Sequence, residues 1–166
     1  MYIKLLNEAV LEEKGEKLPE KVECKIDIPL DAYIPDTYVY SSAGRMEMYK
    51  KIALIETEAD LEDITDELID RFGEFGKPVK NLINISLIRH MAERAKMTLV
   101  KFENGEIRIF ADKFDIARWS AVAFELGNRV RFVTSMKTYV SCKLKKDEDV
   151  LKVLIKIFKT YESAEE

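Results

Sequence analysis

Asn104-Gly105 stands between two runs of alternating character, residues 98–102 (TLVKF) and 106–110 (EIRIF). A central Asn-Gly pair tolerates the two positive φ angles of a tight hairpin turn, so these runs are predicted to pair as antiparallel strands. Alternation with a period of two also commits one face of the hairpin to a core, because a slip of one residue would expose every apolar side chain. A second pair of the same kind follows at 129–134 (RVRFVT) and 138–144 (TYVSCKL), joined through 135–137. Residues 115–126 between the two pairs have helical spacing and close on Gly127-Asn128. Residues 147–161 form a last helix, with Asp147, Glu148 and Asp149 in its first turn and Lys152, Lys156 and Lys159 later, the order that the helix dipole favours.

The first half reads differently. Tyr2, Leu5, Leu6, Ala9 and Val10 already follow helical spacing with no N-cap before them, which suggests that the chain opens inside an element. Gly15 and Pro19 end that helix, and 22–28 (VECKIDI) alternates as a strand. Pro29 and Pro35 bracket an extended or turning segment. Ser41 or Ser42 caps a predicted helix to about Ile55, with Met46, Tyr49, Ile52 and Ala53 inward. A further helix starts at Thr57 or Glu58 and stops at Phe72-Gly73, its core stripe being Leu61, Ile64, Leu68 and Phe72. Pro78 opens a third, to about Lys96, whose wide apolar set (Val79, Ile83, Leu87, Ile88 and Met91 among them) predicts extensive burial. The predicted class is α+β, a helical first half packed with antiparallel β-hairpins and helices in the second. One domain over 1–166 is expected, built from segments 1–14, 22–96 and 97–161, with the helix at 78–96 serving both larger parts.

Composition excludes several classes. The chain has 166 residues, 47% apolar and 35% charged, as a soluble globular domain does. No apolar run approaches the roughly 18 residues of a membrane helix. Residues 2–14 carry acids throughout and do not read as a signal peptide. A net charge of −4 argues against a protein that grips nucleic acid over its whole surface. Cys24 and Cys142 fall on the apolar faces of strands and read as small core residues, consistent with a reducing, cytoplasmic setting. The lone His90 has no second His or Cys nearby, so no metal site is expected. No GxxxxGK[ST] or GxGxxG appears, and Gly73-Glu74-Phe75-Gly76 reads as a helix stop, so ATP binding is not expected. The serines lack any His/Asp pattern. No catalytic residue and no cofactor is predicted.

Charge patterning is the unusual signal. Residues 56–70 hold eight acids and no base, and the rest of the chain carries a net charge of +4. With Leu61, Ile64, Leu68 and Phe72 inward, Glu62, Asp66, Glu67 and Asp70 point outward and Asp63 lies beside them. Such a stripe serves either as a solvated face that maintains solubility or as a docking surface for a basic partner. Glu67 stands at the rim of the buried stripe. It could meet a partner there or pair inside the domain with Arg71 at i+4.

Residues 27–39 (DIPLDAYIPDTYV), 45–53 (RMEMYKKIA) and 67–89 (ELIDRFGEFGKPVKNLINISLIR) together resemble the C-terminal domain of bacterial transcription-repair coupling factor. The matching positions include Tyr33, Ile34, Pro35, Arg45, Tyr49, Glu67, Asp70, Arg71, Phe72, Gly73 and Arg89. Gly76 departs from a proline usual in that family. The resemblance implies that segment 1–14 links to an upstream motor, in a protein that is an ATP-dependent DNA translocase. It implies that this protein displaces stalled RNA polymerase and recruits the repair protein UvrA. The domain itself would be non-catalytic, would not be the part that binds DNA or a membrane, and would mask the UvrA-binding module of the same protein at rest. Glu62, Asp63, Asp66, Glu67 and Asp70 are then the candidate docking residues, and Tyr33, Pro35, Arg45, Arg71, Phe72 and Gly73 the structural motif. Two alternatives stand beside this. One is an accessory module for nucleic-acid backbone using Arg89, Arg94, Arg129, Arg131 and the C-terminal lysines, with Trp119 and Tyr139 to stack on bases. The other is a small carboxylate hydrolase.

Overall fold

The computed structural model describes residues 23–127, 129–134 and 136–164, so the periodic segment at 1–14 lies outside the described residues. In chain order the elements are β1 (Lys25–Asp27), α1 (Ser42–Ala53), α2 (Glu58–Phe72), α3 (Lys77–Arg94), β2 (Met97–Glu103), β3 (Glu106–Ala111), α4 (Ile116–Glu125), β4 (Val130–Val133), β5 (Tyr139–Lys143) and α5 (Val150–Ser163). The strands form one mixed sheet in the order β1-β2-β3-β5-β4. The hairpin closes as its turn residues require, with Asn104 at φ 54° and Gly105 at φ 74°.

The sheet differs from two hairpins side by side. β1 joins it as a parallel neighbour of β2, with Lys25 opposite Leu99 and Asp27 opposite Lys101. The second strand pair is present, but β5 also pairs with β3, so β4 is left at the edge. Val100, Ile107, Ile109, Val140 and Cys142 are buried on one face of the sheet. Helix α3 packs on β1 and β2, α4 packs on β4, and α5 lies against both of these helices. Helices α1 and α2 pack on α3 and on each other. The expected double duty of α3 is visible in its buried set, Val79, Ile83, Ile85, Leu87, Ile88, Met91 and Ala92, which runs round most of the helix.

Helix ends follow local chemistry. The Thr57 side chain accepts from the Asp60 N–H while the Asp60 carboxylate accepts from the Thr57 N–H, a reciprocal cap on α2. Gly73 stops that helix at φ 89°, a backbone angle that side chains disfavour. Two expectations are corrected. Helix α1 buries Met48 and Ile52, whereas Met46 is 59% exposed and Ala53 is also exposed. Ile52 and half-buried Tyr49 face inward as expected, and Met48, four residues before Ile52, shares that face, whereas Met46 falls about 160° round the helix from Met48. Asp147, Glu148 and Asp149 precede α5 instead of forming its first turn. Asp149 is the N-cap, accepting from the Leu151 N–H at 2.9 Å, and Asp147 takes φ 67°, which excludes it from the helix.

Candidate docking surface

The family-motif residues converge on the junction of α1 and α2. The Pro35 carbonyl accepts from the Tyr38 and Val39 N–H groups and forms a turn. The Arg45 guanidinium closes it by donating to the carbonyls of Val39 (2.8 Å) and Tyr40 (3.1 Å). The Tyr38 hydroxyl donates to the carbonyls of Gly73 (2.6 Å) and Leu68 (3.1 Å), satisfying the C-terminal end of α2. Its ring lies against Phe72 and Phe75. Tyr49 holds the extended segment by accepting from the Ile34 N–H at 2.8 Å. Tyr33 is exposed, and its N–H reaches the Pro78 carbonyl. These residues orient α2, so the motif builds the frame on which the acidic stripe is displayed.

The eight acids do not act alike. Asp60 is used in the cap, and Glu58 pairs with Lys159 of α5 at 3.2 Å. Glu67 accepts from Lys51 of α1 at 2.7 Å and from Arg71 at 3.0 Å. Glu47 closes a four-membered alternating ring, 3.5 Å from Lys51 and 3.3 Å from Arg71. The hydrogen bond from Lys51, with that from Arg71, holds the Glu67 carboxyl below its ordinary value of 4.5. Arg71 also lies 5.0 Å from the Phe72 ring centroid. Glu67 therefore clips α1 to α2, the intradomain pairing with Arg71 that its i+4 spacing allows. Lys51 and Glu47 had no local sign in the sequence, being 16 and 20 positions from Glu67.

Glu62, Asp63, Asp66 and Asp70 are exposed and have no ion-pair or hydrogen-bond partner among the described residues. At 3.6 residues per turn they fall within an arc of about 100°. Asp63 also borders a cleft of about 250 Å³ with Leu54, Ile55, Asp60, Ile64 and Lys51. Leu54 is 74% exposed there, an apolar side chain sharing the cleft with Asp60, Asp63 and Lys51. The stripe is thus a set of four carboxylates on a rigidly capped helix, next to one apolar anchor point.

Other candidates for chemistry fall away on geometry. Burial, with the Glu93 charge adding to it, pushes the Cys24 thiol up to about 12, and burial also raises Cys142, so neither is a ready nucleophile. His90 is half-buried with Nδ1 3.0 Å from the Ser86 carbonyl. Among the described residues, no cluster of His, Cys, Asp or Glu could hold a metal ion. No helix among them is long and apolar enough to cross a membrane. Trp119 is buried, its ring against Tyr161, which removes it as a stacking group for the nucleic-acid alternative. Of the four arginines named for nucleic-acid backbone, Arg129 and Arg94 are engaged, whereas Arg89 and Arg131 are exposed. Arg129 makes a two-pronged pair with Glu148 at 2.5 and 3.2 Å and donates to the Lys143 carbonyl. Arg94 is bound to Glu162 and to the Glu56 carbonyl.

The Arg129 hydrogen bond, with that from the Lys145 N–H, depresses the Glu148 carboxyl below 4.5. A carboxylate whose folded value is lowered stabilises the fold above its unfolded value and loses that contribution as pH falls through the folded one. Glu148→Gln is therefore expected to lower Tm at pH 7, with the gap to the parent chain closing below about pH 4.5. Melting both chains across the acid range checks this. A gap that stays constant with pH would show that the charge of Glu148 is not what stabilises.

A family model described as TRCF domain matches residues 28–118. A transcription-repair-coupling factor of Bacillus subtilis (strain 168) is 33% identical over 131 residues, covering 78% of this chain and 11% of the relative. That of Staphylococcus haemolyticus (strain JCSC1435) is 38% identical over 111 residues, covering 66% of this chain and 10% of the relative. The chain thus spans about a tenth of the length of these curated relatives. A crystal structure of the C-terminal domain of transcription-repair coupling factor has the same fold, with a TM-score of 0.79 at 23% identity over 89% of this chain and 97% of that one.

Proposed function

This chain belongs to the TRCF domain family, and from that premise we propose that it works as a non-catalytic regulatory interaction domain of a transcription-repair coupling factor. In this reading the full protein is an ATP-dependent DNA translocase that displaces stalled RNA polymerase and recruits UvrA in the cytoplasm. The domain covers the UvrA-binding module of the same protein at rest and is released when repair is called for.

The observation that carries the reading is the group of four exposed carboxylates, Glu62, Asp63, Asp66 and Asp70, left without partners among the described residues. Asp66 repels both Glu62 and Asp70 at i±4, each such pair costing an isolated helix about 0.2–0.5 kcal/mol. A basic partner surface removes that repulsion and fixes register through charge complementarity. The exposed Leu54 beside Asp63 supplies an apolar anchor of the kind that carries affinity within a polar rim. Glu67, held by Lys51 and Arg71, contributes by fixing the orientation of the stripe.

Calorimetric titration of this chain with the separately produced UvrA-binding module tests the proposal. Saturable binding that weakens steeply as salt rises is expected. Absence of heat at low salt, with both partners folded, would overturn it.

A further inference from the structure

The helix-distal face of the sheet is chemically unlike the rest of the surface. Register puts Leu99 opposite Phe110, Lys101 opposite Arg108 and Phe110 opposite Tyr139, all on the face away from the buried Val100, Ile109 and Val140. Phe110 and Tyr139, on the neighbouring strands β3 and β5, form an aromatic pair with centroids 5.0 Å apart and planes tilted by 37°. Cations flank both rings. Lys101 Nζ lies 5.8 Å from the Phe110 centroid and Arg108 Cζ 5.5 Å from that of Tyr139. Both rings are only half-buried, and no described element covers them.

A groove of about 730 Å³ begins at this platform. Leu99, Phe110 and Phe114 give it an apolar wall, and Lys101, Lys113 and Lys137 line it, with Asp112 as the one acid. Asp112, Lys113 and Phe114 also line a second groove of about 750 Å³, which adds Lys96, Asp115, and Arg94 and Arg118, the last two paired with Glu162 and Asp115. The two therefore make one track, aromatic at the sheet and lined by more cations than acids. Glu103 and Glu106 lie at the far end of the face and are bound to Arg108 at 2.7 and 2.8 Å, and Glu103 also lies 3.6 Å from Lys101. Arg108 therefore adds a guanidinium plane to the platform but no net charge.

We infer that this track binds single-stranded RNA. Bases stack on Phe110 and Tyr139, and the backbone follows Lys101, Lys113 and Lys137. An aromatic platform opening into a cationic groove is the arrangement that single-stranded nucleic acids use, whereas a duplex hides its base faces and gains nothing from such rings. Asp112 selects between the sugars. A carboxylate in the groove repels phosphate but accepts a hydrogen bond from a ribose 2′-hydroxyl, which deoxyribose lacks. This site lies on the sheet and is independent of the acidic stripe on α2.

Fluorescence anisotropy of a labelled oligouridine with the whole 166-residue chain tests the inference. Lysines along a single strand predict an affinity that falls as salt rises. Phe110→Leu and Tyr139→Leu keep an apolar side chain but lose the stacking face, and each is expected to weaken binding about tenfold. Lys113→Glu, at an exposed position, is expected to make the salt slope shallower. Photocrosslinking of thiouridine-substituted RNA to the unaltered chain should label Phe110 or Tyr139, a readout that does not depend on variants folding. Four results would each overturn the inference. They are no saturable binding at low salt, equal affinity for oligothymidine or for a duplex, crosslinks that avoid the sheet face, and self-association of the chain that the Lys113→Glu variant abolishes.

Discussion

Phe158→Ala is expected to destabilise the domain by about 3–5 kcal/mol, the usual cost of truncating a buried phenylalanine. Phe158 is 0% exposed and sits on α5, the helix that packs against both α3 and α4. α5 has the most completely apolar stripe outside α3, with Leu151, Leu154, Ile157 and Phe158 all buried. The cavity left at that point would lie between helices that are already capped and fixed to the sheet, so collapse around it is restricted. For a domain of this size the loss corresponds to a fall in Tm of about 10 °C. Phe124 provides the internal control. It is on α4 but 85% exposed, and Phe124→Ala should stay within about 0.5 kcal/mol. Urea unfolding of the two variants checks both numbers. Equal midpoints would mean that α5 is not integral to the core.

How much of this architecture the sequence discloses depends on the range of the interaction concerned. The β2–β3 hairpin was legible because its turn and its alternation are local: Asn104 and Gly105 supply both positive φ angles, and the runs on either side share one phase. The cap at Thr57 and the stop at Gly73 were legible for the same reason. The place of β1 was not, because Lys25 meets Leu99 across three intervening helices and nothing near Lys25 announces a parallel partner. The insertion of β5 between β3 and β4 is likewise a choice among strands of similar character. Helix α1 defeated periodicity because apolar side chains occupy both candidate phases, and contact with α2 and α3 selects Met48 over Met46. The acidic run was visible as composition. Its division into acids engaged within the fold and acids left exposed was not, since Glu67 is bound by Lys51 of another helix and Glu58 by Lys159 near the other end of the chain.

That division separates two variants that a reading of charge alone would treat as one. Glu62→Lys/Asp66→Lys/Asp70→Lys, made together in a full-length protein carrying this domain, is expected to raise UvrA binding about 10- to 100-fold by unmasking the UvrA-binding module. The basis is that three attractive contacts to a basic surface become three repulsive ones, and each tenfold step corresponds to about 1.4 kcal/mol. The side chains are exposed and have no partners among the described residues, so the isolated domain should keep its Tm within a few degrees. Glu67→Lys should behave in the opposite way. Its carboxylate is only 30% exposed and sits between Lys51 and Arg71, so a lysine there places three cations together at the α1–α2 contact. The domain should then melt at a lower temperature, and any gain in UvrA binding should follow the fraction unfolded. Pull-down of UvrA by the two full-length variants, with melting of the two isolated domains, resolves the pair. If the triple variant leaves UvrA binding unchanged while Glu67→Lys raises it at full domain stability, the stripe is a solvated face and the docking contact lies at Glu67 itself.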